Sequence, residues 1–554
     1  MPTPSLSDEC LQQAWRTVHE CAGNKSEAAR RLDIKPGTLH NRLDRAVERF
    51  GEAISVPHIQ GRKNALPAEV RKLPRKGQIA RYICTCAQTN TLINADVWAN
   101  LKALARRYQA EILVSTFNYN KATYGARSVK PGKGPTVKDM HADPVPPKEV
   151  RPFIADRRVQ LAPGISWCGE IQILPTQQWP LTGYEFYTGR KSSILPHTSV
   201  QMVSVPSAKF EATKLLYTTG TVTQRNYVAR SAGFKAEINH SYGGLLVEVD
   251  HKGQWWCRQL QAGPRAEIYD LNLCAENGKV RRRKLNAETF VEAITWGDDH
   301  PQRIDDTVMR LAYGAGGMLD TLRPRKQFHH DTLDFQTRSH WTRRDPHEMF
   351  RLYCCGRENV EEEFKRSAAF LKSTHRPWCK NYVVNANHNR HLQRWLAEAD
   401  WRHDPVNAII FTEMNLAFLK ALAAGDKSFD PCAHALRSRG APADIVFLKR
   451  DESLVICKGI DPGSTVPYAE SGIECGMHGD EGPNGTRGNP YAFAKMGRRI
   501  NVADRHSTGI YHGVYYAGHS SRIDAGFPHG PNSHTHSHTL TYINGTRAIL
   551  TMWG

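Results

Sequence analysis

The chain has 554 residues, 40% of them hydrophobic and 23% charged, which excludes a disordered chain and leaves material for several domains. A formal net charge of +19 and a pI near 9.4 point to a polyanionic partner, with nucleic acid the leading choice. The polar Met-Pro-Thr-Pro-Ser start carries no signal peptide, and no apolar run approaches the length of a membrane span, so a cytoplasmic chain with no membrane partner is expected.

Residues 1–50 read as a self-contained helical domain. Ser26 is placed to cap a short helix, SEAARRL, whose small Ala28 and Ala29 permit close helix contact. Asp33 to Gly37 make a turn, with Pro36 near the start of the next helix. That helix, TLHNRLDRAVERF, puts Leu39, Leu43, Ala46 and Val47 on one side. This grammar resembles the helix-turn-helix of the Fis type. The resemblance implies DNA contact through Lys35, Thr38, His40, Asn41, Arg42 and Arg45, against the blander alternative of an ordinary helical hairpin.

Residues 51–76 form a basic linker rich in Pro, Gly, Lys and Arg. An α/β region of illegible role spans 77–285. In it YICTCAQTNT reads as a buried strand with a polar loop, NADVWANLKALARRY as an amphipathic helix, and EILVSTF as a second strand. Short runs such as VQMVSVP and GLLVEVD continue the β pattern. PGKGPT is not a phosphate-binding loop, because it lacks the glycine four residues before Gly-Lys. KVRRRKLN is a basic run that is expected to be solvated or to touch phosphate. The 13 cysteines have no paired C-x-x-C spacing, which excludes a zinc ribbon and fits reduced thiols.

From about Phe290 onward, metal-type side chains recur just after apolar runs. FVEAITWGDDH places Asp298 and His300; FHHDTLDF places Asp331; YVVNANHN places Asn387 and His388; SGIECGMHG places His478; RRINVADRHS places Asp504 and His506. One such residue is an ordinary turn residue. Five successive strand-end loops carrying oxygen and nitrogen donors are what a two-metal site needs.

The order of these motifs resembles the calcineurin-like metallophosphoesterases. GDDH is similar to their first motif, D-x-H. HDTLD is similar to G-D-x-x-D, with His330 for the glycine; ANHN to G-N-H-(D/E), with Ala386 for glycine and Asn389 for the acid. MHG supplies the lone His, and ADRH the last motif, with Asp504 where the family has a His. HHDTLDFQTRSH, NANHNRHLQRWL and HGDEGPNGTRG also look like a group of large phage-encoded members linked to destruction of host DNA.

The resemblance implies a two-sheet αββα sandwich over 286–554, within a multidomain α/β chain. It implies two divalent ions, and the hard Asp504 favours manganese or magnesium. Asp298, His300, Asp331 and His506 would hold the first ion; Asp331 would bridge; Asn387, His478 and Asp504 would complete the second. A hydroxide between the ions would attack phosphorus in line. His388 would stand at the leaving group. Asn389 carries no charge, so His388 is expected to lack an orienting carboxylate and to act by electrostatic stabilisation.

A literal H-x-H also occurs at His534 and His536, followed by His538. These alternate on an expected strand before the turn Ile543-Asn544-Gly545, and the Asp504/His506 site fits the motif order better. The reading is a DNase, with DNA as partner and a homo-oligomer hinted at by the helix-turn-helix. Two alternatives stand beside it: a transcriptional regulator with a degenerate phosphoesterase domain, and a phosphatase or nuclease acting on RNA or nucleotides.

Overall fold

The computed structural model describes residues 6–21, 25–50, 68–119, 144–208, 211–284, 288–450, 452–459, 472–523 and 530–552. The PGKGPT stretch and residues 51–67 of the basic linker lie outside these. The chain clusters into two compact units, 1–69 and 70–554.

Among the described residues, the first unit contains three helices: α1 (Asp8–Glu20), α2 (Lys25–Arg31) and α3 (Pro36–Phe50). Ala14 and Val18 of α1 meet Ala28 and Ala29 of α2 and Leu39 and Leu43 of α3 in one small core. The alanines let the helix axes approach closely. Asp33 turns the chain between α2 and α3 in the left-handed region, at φ 52°, which a short polar side chain tolerates. Pro36 opens α3, where its missing N–H leaves no helical bond unmade. Two expectations are corrected. Ser26 lies inside α2 rather than capping it, and Val47 is 43% exposed, one position around from the buried Ala46.

In the second unit, strand Ala80–Gln88, helix α4 (Ala95–Tyr108) and strand Glu111–Phe117 make a parallel crossover. The Asn94 side chain caps α4 by accepting from Val97 N, and α4 buries Val97, Trp98, Leu101 and Leu104. Strands Gly243–Val249 and Trp255–Gln261 complete this sheet. The basic run after residue 278 exposes Lys279, Arg281, Arg282 and Lys284 to solvent, as expected, but it is built into the fold. Lys279–Arg282 is a strand paired with Leu273–Glu276, and Arg283 is buried against Asn272, Glu288 and Thr321.

A six-stranded sheet runs Val446–Phe447, Lys380–Val383, Lys326–His329, Val291–Thr295, His536–Tyr542 and Arg547–Met552. The first four strands are parallel; the last two form an antiparallel hairpin. A longer mixed sheet holds Ile473–Glu474 and Arg499–Val502 in parallel. Ala293, Phe328, Tyr382, Ile456, Ile473 and Cys475 pack together from strands of both sheets. Other apolar residues of the six-stranded sheet, such as Ile294, pack with Phe364, Leu371, Trp395 and Leu436 of the neighbouring helices.

The expected division at 285/286 does not separate compact units. Strand Met202–Val205 pairs antiparallel with Gly509–Tyr511, so the region before 285 extends the same mixed sheet that carries Arg499–Val502. Membrane-span length is also corrected. Among the described residues, Pro405–Ala423 is long and apolar enough to cross a membrane. One side of this helix packs inward through Ile410, Phe411 and Met414, while Ile409, Leu416, Leu419 and Leu422 are exposed. All 13 cysteines are free thiols.

Candidate metal centre

The site forms where parallel strands end. A strand's carboxyl end frees the backbone from its ladder, so the following loop can aim side chains into a crevice. Asp298 and His300 follow Val291–Thr295, Asp331 follows Lys326–His329, and Asn387 and His388 follow Lys380–Val383. From the facing sheet, His478 follows Ile473–Glu474, and Asp504 and His506 follow Arg499–Val502. Gly297 is needed for the approach: a Cβ there would lie 2.5 Å from the Gly518 carbonyl carbon, and Asp298 N donates to Gly518 O at 3.1 Å.

Asp298, His300, Asp331 and His506 each offer a donor atom, all within 4.8 Å of one another. His300 Nε2 lies 3.1 Å from His506 Nε2 and 3.7 Å from Asp331 Oδ2. His506 Nε2 lies 3.3 Å from Asp298 Oδ2. On the other side, His478 Nε2 faces Asn387 Oδ1 at 3.2 Å, Asp331 Oδ2 at 3.5 Å and Asp504 Oδ1 at 3.7 Å. One carboxylate oxygen of Asp331 therefore stands between the two sets. Its other oxygen, Oδ1, is buried and accepts no hydrogen bond. Leaving such an acceptor unmet costs about 1–3 kcal/mol, so this donor set fits a cation.

The backbone is forced to make this convergence. His300, Asp331, Asp504 and His506 all adopt left-handed conformations, with φ of 43°, 48°, 69° and 55°. Such conformations cost about 1–3 kcal/mol each for residues other than glycine and gather at functional sites.

Without a cation, the electrostatics are opposed. Burial, then the neighbouring Asp331, pushes the Asp298 carboxyl well above its ordinary range. Burial acts the same way on Asp331, but His388 and His478 outweigh it and hold that carboxyl below the usual value. Burial disfavours charge on His388, yet Asp331 and the hydrogen bond to Asp334 raise it to about 10. His478 is likewise raised to about 10 against burial, chiefly by Asp331. Burial, then His300, keeps His506 neutral.

Three features escaped the sequence reading. The first is Asp334: His388 Nδ1 lies 2.9 Å from its Oδ1 and 2.7 Å from its carbonyl oxygen, and His300 Nδ1 lies 3.4 Å from Oδ1. The expectation that His388 lacks a carboxylate is therefore corrected. Asn389 instead closes its own loop, accepting from Ala386 N. The signal was present as the second Asp of HDTLD. The second feature is His330, which stacks on His478 and forms a further three-residue donor group with Asp298 and His478. The third is His519, buried against His506 with ring centroids 5.0 Å apart. His536 Nε2 is committed to Ser521 O, and His538 Nδ1 accepts from Gly297 N. Among the described residues, neither joins a donor group with Asp298.

In the first unit, Lys35, Thr38, His40, Asn41 and Arg45 are exposed on or just before α3, and Arg42 is half-buried.

A small helical unit and an α/β unit with buried His/Asp donor groups define a helix-turn-helix protein with a candidate divalent-metal centre. Residues 17–45 match the helix-turn-helix of the bacterial regulatory protein, Fis family. The chain is 33% identical over 480 residues to Protein A1 of Escherichia phage T5, covering 85% of this chain and 81% of that protein. It belongs to the family of Protein A1.

Proposed function

We propose that this chain is a metal-dependent phosphodiesterase that cleaves DNA, built as a calcineurin-like two-sheet sandwich and encoded by a phage to act in the bacterial cytoplasm. The observation that carries the reading is the set Asp298, His300, Asp331 and His506, whose donor atoms all lie within 4.8 Å of one another, while the second Asp331 oxygen is buried without a hydrogen-bond partner. Asp331, Asn387, His478 and Asp504 would hold a second ion, and Asp504 makes that position hard enough to favour manganese or magnesium. When bound, the cations supply Lewis acidity, which lowers the pKa of a water and neutralises phosphate charge.

The chain's own groups do the rest. Asp334 holds Nδ1 of His388 and fixes its ring, so that its second nitrogen, Nε2, would serve the reaction. A protonated His388 there offsets charge on a phosphate oxygen and can give its proton to the departing alkoxide. Asp334 also steadies His300, so one buried carboxylate orients both rings. The helix-turn-helix contributes duplex contact through Lys35, Thr38, His40, Asn41, Arg42 and Arg45, which are directed at phosphates and the major groove.

Purified protein incubated with plasmid DNA tests the reading. Cleavage with manganese or magnesium that stops on adding chelator is the expected result. DNA left intact with every divalent ion tried, while still bound by the protein, would favour a regulator with a degenerate site.

A further inference from the structure

A line of rings leads out of the pocket. His388 lies 5.0 Å from His391, His391 lies 5.1 Å from His340, and His340 lies 4.4 Å from Trp341, all by ring centroids. Trp341 is 69% exposed. An exposed indole offers a large flat apolar face with one polar edge, which suits it to stacking against a partner.

The surroundings are cationic as well as aromatic. Arg394 Nη1 lies 3.2 Å from His340 Nε2, and its guanidinium is exposed, as is that of Arg344. Farther along the chain, Phe350 and Tyr353 stack on one helix with 66% and 62% exposure, and Arg351, already paired with Glu348, lies between them in sequence. Exposed aromatic faces interleaved with arginines bind single-stranded nucleic acid: the rings stack on bases and the cations follow the phosphates. A purely apolar protein partner would find arginines where it needs methyl groups. A duplex has its bases stacked internally and offers no face to an indole.

We propose that Trp341 is the first stacking platform for a single-stranded DNA segment, holding an unpaired base while the adjoining phosphate lies beside His388. This rests on the phosphodiesterase reading above and names its substrate as an unpaired strand or a frayed duplex end. Trp341 positions the substrate and takes no part in bond breaking.

The full-length protein and its Trp341→Ala and Trp341→Phe variants decide this, with two labelled 12-mers as probes. One is oligothymidylate; the other has the same backbone with abasic sites. Binding is read by fluorescence anisotropy in chelator, and hydrolysis of bis(p-nitrophenyl) phosphate is followed separately with manganese. Trp341→Ala should bind oligothymidylate on the order of 10-fold more weakly, bind the abasic strand as wild type does, and leave the small diester's turnover unchanged. Trp341→Phe should recover most of the loss. Equal weakening on both strands, no weakening, or no binding of oligothymidylate by wild type would each overturn the platform. A small diester that is not hydrolysed with any metal, beside the expected anisotropy pattern, would leave the platform standing and remove the phosphodiesterase reading.

Discussion

Asp334 and His388 meet twice: Nδ1 of the ring lies within hydrogen-bond distance of both the carboxylate and the main-chain carbonyl of the aspartate, at 2.9 and 2.7 Å. Two acceptors on one ring nitrogen fix the tautomer and the ring plane together, and the buried carboxylate favours the charged ring. Asp334→Asn keeps the shape and removes the charge. Turnover of a phosphodiester should fall on the order of 10- to 100-fold, and the alkaline limb of the pH–rate profile should move to lower pH. His388→Gln should cost a similar amount, and the double variant little more, because the two act as a unit. Fully additive losses would separate their roles.

His388 and His478 together carry a stability signature in the metal-free protein. His388 and His478 are both raised from about 6.5 to about 10 in the fold. Between those values the folded chain holds protons that the unfolded chain has released. Stability then falls as pH rises, being fully present below about 6.5. Urea midpoints in chelator should drop between pH 6.5 and 8.5, and His388→Gln should flatten the slope. A wild-type midpoint that climbs over that window contradicts the assignment.

Asp331 faces both donor sets, at 3.7 Å from His300 Nε2 and 3.5 Å from His478 Nε2. Asp331→Asn should therefore lower occupancy at both positions at once. Metal content after gel filtration should fall towards zero, and turnover should fall on the order of 100-fold or more. A variant that keeps half its metal and most of its turnover shows that the carboxylate is not shared.

The strand ends were legible because each apolar run is short and stops abruptly at polar residues, and the loops after them hold the donors that converge. Asp334 was not, because Asn389 fills the position beside His388 in the chain, and only the fold brings the second Asp of HDTLD under that ring. His330 read as a substituted glycine; its stacking on His478 joins residues 148 apart. The pairing of Met202–Val205 with Gly509–Tyr511 left no local pattern at all, since strand partners three hundred residues apart share no periodicity.

The first unit clusters separately from residues 70–554. Deleting residues 1–50 should weaken duplex binding and flatten its salt dependence, because each lost phosphate contact removes about 0.9 from the logarithmic slope. Hydrolysis of bis(p-nitrophenyl) phosphate should be unchanged. A collapse of small-diester turnover in the truncated chain would tie the helices to the catalytic fold.

The last motif is settled by metal content. His506 Nε2 lies 3.3 Å from Asp298 and 3.1 Å from His300 Nε2, whereas His536 spends its Nε2 on Ser521 O at 2.8 Å. His506→Ala should lower occupancy and turnover together, since it removes a neutral imidazole donor from the first set. His536→Ala breaks one buried hydrogen bond, so it should cost about 1–3 kcal/mol of stability and leave metal content alone. Asp504→His puts a softer donor opposite His478; it should keep activity and shift preference from manganese towards zinc or iron. Elemental analysis and diester turnover on the three variants read all of this. If His536→Ala strips the metal and His506→Ala retains it, the strand histidines hold the ion, and the place given to Asp504 fails with that of His506.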